Sequence, residues 1–117
     1  MRNEENEQIA VFEWAAVAAP LIPELSLLFH IPNGGKRTVS EAVRFKRAGV
    51  KAGVPDLFLP VPKGNYHGLW IEMKAKGGRI RPEQREWIEA LREQGFQAYV
   101  CFGAEEAINT LRRYLCG

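Results

Sequence analysis

The sequence predicts an α/β fold, one mixed β-sheet flanked by helices in the order α-β-α-β-β-α-β-α. Two apolar runs, Pro55–Leu59 and Leu69–Lys74, are short and bounded by Gly and Pro. The turn over residues 60–68 makes them an antiparallel hairpin. Helical periodicity marks residues 4–19, 82–94 and 105–115. The helix over 82–94 joins the hairpin to the apolar run Phe96–Phe102, and a strand-helix-strand crossover predicts parallel pairing there.

A chain of 117 residues is long enough to bury a core, and residues 1–117 are read as a single domain. With 46% hydrophobic and 26% charged residues, the composition is that of an ordinary globular protein, not a disordered or fibrous one. No apolar run is long enough to cross a membrane. Met1–Asn6 is polar and partly acidic where a secretory peptide is basic and then apolar, so the expected compartment is the cytoplasm. Cys101 and Cys116 have no metal-ligand spacing and read as two free thiols. The formal charge of +2 says little; its distribution says more.

In residues 4–19, Val11, Trp14 and Ala18 form one stripe, and Ile9, Phe12 and Ala16 a second. Glu7 stands four residues before Val11 and prolongs the first stripe, which aims it at the body of the protein. The alternative is an acid that favours the positive end of the helix dipole. Glu13, four residues after Ile9, competes for the same inward role. Pro20 and Pro23 end the helix.

Leu25–Ile31 predicts a strand that leads into the turn Pro32-Asn33-Gly34-Gly35. His30, Asn33, Lys36 and Arg37 offer donors and positive charge, and Gly34 and Gly35 let a backbone approach closely, which suits a phosphate. A satisfied strand-end histidine is the alternative for His30. Thr38–Ala48 predicts a helix opened by the capping box Thr38-Val39-Ser40-Glu41. Arg44, Lys46, Arg47 and Lys51 join Lys36 and Arg37 to place six bases within sixteen positions, against one acid. A basic helix end suits the dipole. A cluster this dense also suits a nucleic-acid backbone.

With the hairpin loop centred on Gly64, Asp56 falls opposite Glu72 and Phe58 opposite Trp70. Opposed residues share a face with Cβ atoms roughly 5 Å apart. Glu72 and Lys74 share that face by alternation. Two facing carboxylates repel, so one takes up a proton or both recruit a cation. A hard divalent ion binds through one or two carboxylates plus water and phosphate oxygens, and a nearby lysine can position an attacking water. A solvated surface ion pair is the competing reading of the triplet.

After the basic loop Ala75–Arg81, Pro82 suits a first helical position. Gln84 lies three residues before Trp87 and four before Ile88, facing inward at the helix start. It also fits a capping glutamine. The last helix carries Ile108, Leu111 and Leu115 on one face and reads as packing alone.

Together, Asp56 with Glu72-Met73-Lys74, the N-terminal Glu helix, His30-Ile31-Pro32-Asn33-Gly34-Gly35, Gly53-Val54-Pro55-Asp56-Leu57 and Gln84 resemble the VRR-NUC domain of the PD-(D/E)XK nuclease superfamily, in its stand-alone phage or bacterial form. The resemblance covers nearly the whole chain. It implies a restriction-endonuclease-like fold and a Mg2+- or Mn2+-dependent hydrolysis of DNA phosphodiesters in a bacterial or phage-infected cell. It implies metal ligation by Asp56, Glu72 and the Met73 carbonyl, with Glu7 completing the acidic set through water or a second metal. Lys74 would orient the attacking water, and Gln84 would support Lys74 or a phosphate. Arg81 stands where a small hydroxyl residue is more usual, which touches the helix cap and not the catalytic set. Small members resemble Holliday-junction resolvases, which act as homodimers on branched DNA. A flap-, single-strand- or end-directed nuclease, and an inactive nucleic-acid-binding module, are the alternatives. No membrane partner is expected.

Overall fold

A computed structural model describes residues 3–32 and 37–117. Four strands make one sheet in the order β1-β2-β3-β4: β1 (Phe29–His30), β2 (Leu57–Leu59), β3 (Leu69–Lys74) and β4 (Gln97–Phe102). β2 pairs antiparallel with both β1 and β3, and β3 runs parallel to β4 across the helical crossover. The helices are α1 (Glu4–Ala18), α2 (Val39–Arg47), α3 (Pro82–Glu93) and α4 (Ala104–Cys116). This is the expected mixed sheet and element order.

Alternation sorts the strand side chains between two layers. Leu57, Leu59, Leu69, Ile71 and Met73 are buried together with Val11 and Ala15 of α1 and Ala107 and Leu111 of α4. On the opposite face, Ile88 and Leu91 of α3 pack with Ala98, Trp70 and Val100. Phe58 stacks on Trp70 at 4.1 Å between ring centres, and Phe29 and Phe96 meet Phe58 edge-on.

Two expectations change. Leu25–Ile31 is not one strand. A 3-10 turn takes Pro23–Leu27, and β1 keeps only Phe29 and His30, with Ile31 donating one more hydrogen bond to the Asp56 carbonyl. Pro23 sets the turn at its start, and Leu25 and Leu28, three apart, both reach the core from it. In α1 only one stripe is buried: Glu7, Val11 and Ala15. Ile9 of the second stripe is 48% exposed.

The helix starts are individually closed. Asn3 accepts from the Asn6 N–H in α1, and Thr38 and Glu41 form the reciprocal capping box of α2. The outer edge of β4 is occupied at two positions. Arg92 donates to the Ala98 carbonyl at 2.9 Å, and the Glu106 carboxylate accepts from the Phe102 N–H at 2.9 Å. Side chains thus occupy edge positions that an incoming strand would need.

Candidate active site

The hairpin register brings the first two acids together. Phe58 lies opposite Trp70 and Leu57 opposite Ile71, which carries Asp56 to the level of Glu72. The Met73 N–H donates to Asp56 Oδ2 at 2.8 Å, fixing the carboxylate across the gap between the strands. Met73 itself turns its side chain into the core.

A third acid comes from the first residue of α1. Glu4, Asp56 and Glu72 each place a carboxylate oxygen within 4.8 Å of the others. Glu4 is exposed, Asp56 half-buried and Glu72 only 2% exposed, so the cluster runs inward from solvent. Sequence reasoning misses Glu4. It lies seven residues before Val11, on the same helical stripe as Glu7 extended by one turn, and that spacing is the signal that could have found it.

Glu7 is buried, as its position on the stripe predicts, and Glu13 is exposed. One Glu7 oxygen accepts from the Ala104 N–H at 2.9 Å, where α4 begins. It thereby meets one of the backbone donors that a helix start leaves open. Glu7 is not one of the three acids in the cluster.

Glu72 carries the electrostatic cost of the arrangement. Burial comes first, then the Asp56 carboxylate, and together with a weaker push from Glu4 they raise its carboxyl to about 8 against the pull of Lys74. Lys74 is nearly buried and its Nζ lies 3.7 Å from Glu72 Oε2. Gln84 answers both sequence readings at once. Its Oε1 accepts from the Arg81 N–H at 2.9 Å, closing the start of α3, and its Nε2 donates to Glu72 Oε2 at 3.0 Å.

The acids open into a polar cavity of about 160 Å³, walled by Ala52, Gly53 and Val54 on one side and by the start of α3 on the other. Gly53 makes this approach possible. Its φ is +93°, and a Cβ there would sit 2.6 Å from the Glu83 carbonyl. Trp87 of α3 donates to the Ala52 carbonyl at 3.1 Å and holds the same segment.

These residues fit a hard divalent cation. Three carboxylates of one sign meet in a polar cavity, and the innermost is forced toward its neutral form without an added positive charge. Oxygen donors of this kind select Mg2+-like ions.

The remaining candidates are not among the three clustered acids or their side-chain partners. His30 is exposed, and its Nδ1 donates to the Asp56 carbonyl at 2.9 Å, which satisfies it at the strand end. Arg37, Arg44, Lys46, Arg47 and Lys51 lie on α2 and its flanks, where no helix residue is buried. Asn33, Gly34, Gly35 and Lys36 lie outside the described residues. Among the described residues, no helix is long and apolar enough to cross a membrane. Cys101 and Cys116 are free thiols.

The family model of the VRR-NUC domain matches residues 4–105. A solved structure described as a VRR_NUC domain protein is 33% identical and superposes with a TM-score of 0.83, covering 98% of this chain and 89% of that one. A search of curated proteins finds no match. The matched span contains every element from α1 to β4, and the chain belongs to the VRR-NUC domain family, nucleases of the PD-(D/E)XK type.

Proposed function

We propose that residues 1–117 act as one Mg2+- or Mn2+-dependent DNA endonuclease domain. In this reading it is structure-specific and works on branched DNA as a homodimer, in the manner of a Holliday-junction resolvase. The observation that carries the reading is the convergence of Glu4, Asp56 and Glu72 beside the nearly buried Lys74. Nucleic acid is the substrate of the family, and four-way junctions are the substrate we infer within it.

Asp56, Glu72 and the Met73 carbonyl would hold the metal, with Glu4 as the third acid of the cluster and Glu7 contributing only through water or a second metal. When bound, such an ion would supply Lewis-acid polarisation of the phosphate and a more acidic water. Lys74 holds and orients the attacking water and offsets negative charge that develops on the phosphoryl oxygens. Gln84 restrains Glu72 by its amide hydrogen bond, so that the carboxylate keeps its aim. Backbone contacts to the substrate fall to His30, Asn33, Gly34, Gly35, Lys36, Arg37, Arg44, Lys46, Arg47 and Lys51. One small domain presents one site, and paired cuts in two strands need two sites about a twofold axis. With the β4 edge occupied by Arg92 and Glu106, the twofold contact uses another surface.

Labelled four-way junction, flap, duplex and single-stranded DNA, each with Mg2+, Mn2+ or EDTA, test the reading, with Glu72→Ala in parallel. Metal-dependent, paired symmetric cuts on the junction that vanish in the variant are expected. Cutting confined to flaps or single strands would replace the resolvase, and binding without turnover under any divalent ion would replace the nuclease by a binding module.

A further inference from the structure

Next to the acidic cavity lies a second cleft of about 530 Å³, lined by Arg37, Ala42, Lys46, Val50, Lys51 and Ala52. Three of its six residues are cations and none is an acid. Helix dipole compensation accounts for Lys46, in the last turn of α2. It does not account for Arg37, which precedes the helix start where a cation is disfavoured and lies over the Phe45 ring. Chain positions before, within and after α2 converge on one cleft. Glu41, the acid of α2, accepts from the Thr38 N–H at 3.0 Å in the cap and also feels the Arg37 charge, which helps to hold its carboxyl below the usual range.

The two cavities share a wall. Ala52 lines both, and its carbonyl is held by Trp87. From Ala52 to Asp56 the chain advances four residues, at most about 14 Å when extended. Phosphates along one strand of duplex advance about 3.4 Å each. About 14 Å at that spacing spans roughly four phosphates, so a backbone entering the cleft from the acids does so within about five nucleotides.

We propose that the cleft of Arg37, Lys46 and Lys51 is a second phosphate-binding subsite, which seats one backbone phosphate within about five nucleotides of the scissile bond and so sets the register of the cut. This rests on the nuclease reading for its second anchor, the carboxylate site, and on the geometry of α2 for the first. The occupant is a phosphodiester of the nucleic-acid backbone, because the cleft offers only cations and apolar wall.

Fluorescence anisotropy of the full chain on a labelled duplex, in EDTA and over a range of NaCl, tests it without turnover. The double variant Arg37→Ala/Lys46→Ala should lower the slope of log K against log salt by about one, roughly 0.9 for the one phosphate that the protein no longer neutralises. Arg37→Lys/Lys46→Arg should restore the slope. A single neutral methylphosphonate, walked along the strand from the cut made with Mg2+, should weaken cleavage most at one position within about five nucleotides. The double variant should lose that position dependence. An unchanged salt slope, or a flat methylphosphonate profile, overturns the subsite. An unchanged slope with an altered oligomeric state in sedimentation does the same and assigns the cleft to contact between copies. If the slope falls as expected while no divalent ion supports cutting, phosphate binding by the cleft stands, and the nuclease reading and the register role fall together.

Discussion

The β2–β3 hairpin and helix α2 are both polar in function and opposite in construction. The hairpin sets Glu72 and Lys74 on a strand whose other face, Leu69, Ile71 and Met73, is almost wholly enclosed. Helix α2 buries no residue at all, and Val39 and Val43 stand 83% and 53% exposed. Its order comes from its own capping box and from the Arg37 and Arg44 guanidinium groups over the Phe45 ring. The contrast teaches a division of labour. Charges that must hold a position to a fraction of an ångström sit on a strand locked by core packing. On the proposed reading, charges that need only meet a polyanion sit on a helix that leans little on the rest.

Breaking the hairpin side gives the largest effects. Lys74→Ala should lower kcat by about 10²–10³-fold, the scale for losing one charge-stabilising group, with metal binding kept. Loss of metal affinity in calorimetry would give Lys74 a different role. Ile71→Ala, beneath the site, should cost about 2–5 kcal/mol of unfolding free energy, while Val43→Ala on α2 should stay within about 0.5 kcal/mol. Urea titration of both variants checks this, and equal losses would dissolve the comparison.

The pH dependence sharpens it. A carboxyl whose pKa is higher folded than unfolded stabilises the fold fully below its unfolded value. That contribution is lost as pH rises through the folded value. Glu72 goes from 4.5 to about 8, so the metal-free protein should lose stability steadily across that window. Melting curves in EDTA should show Tm falling from acid toward pH 8, and Mg2+ should reverse the fall most strongly at the alkaline end. Glu72→Ala should flatten the EDTA profile. The smallest effect belongs to α2: Arg47→Ala should leave Tm unchanged and lower the salt slope of DNA binding by about one.

Much of the hairpin is legible in the sequence because a period of two and a turn centre determine who faces whom. The pairing of Phe58 with Trp70 follows from Gly64 alone. The strand expected over Leu25–Ile31 fails because an apolar run does not declare its period, and Pro23 with Leu25 and Leu28 suits a 3-10 turn equally well. Glu4 is hidden among three acids in the first turn of α1, all of which the dipole explains. Spacing to Val11 puts Glu4 and Glu7 on the inward stripe, and the crossing of α1 over the sheet decides which of the two reaches Asp56. The convergence of Arg37, Lys46 and Lys51 depends on where α2 sits, which no local pattern encodes.

Gln84 has a consequence for which substitutions this position can accept. Its carbonyl oxygen is claimed by the start of α3 and its amide nitrogen by Glu72, so the amide has one orientation and no spare end. Glutamate caps a helix just as well, yet it would set another negative charge against Glu72. Asparagine keeps the amide but is a methylene too short to span both partners. Mutational drift at this site is therefore constrained from two directions at once. Gln84→Glu should preserve the melting temperature at acid pH and cost about 10–100-fold in activity at neutral pH, the range for losing a group that orients a metal ligand.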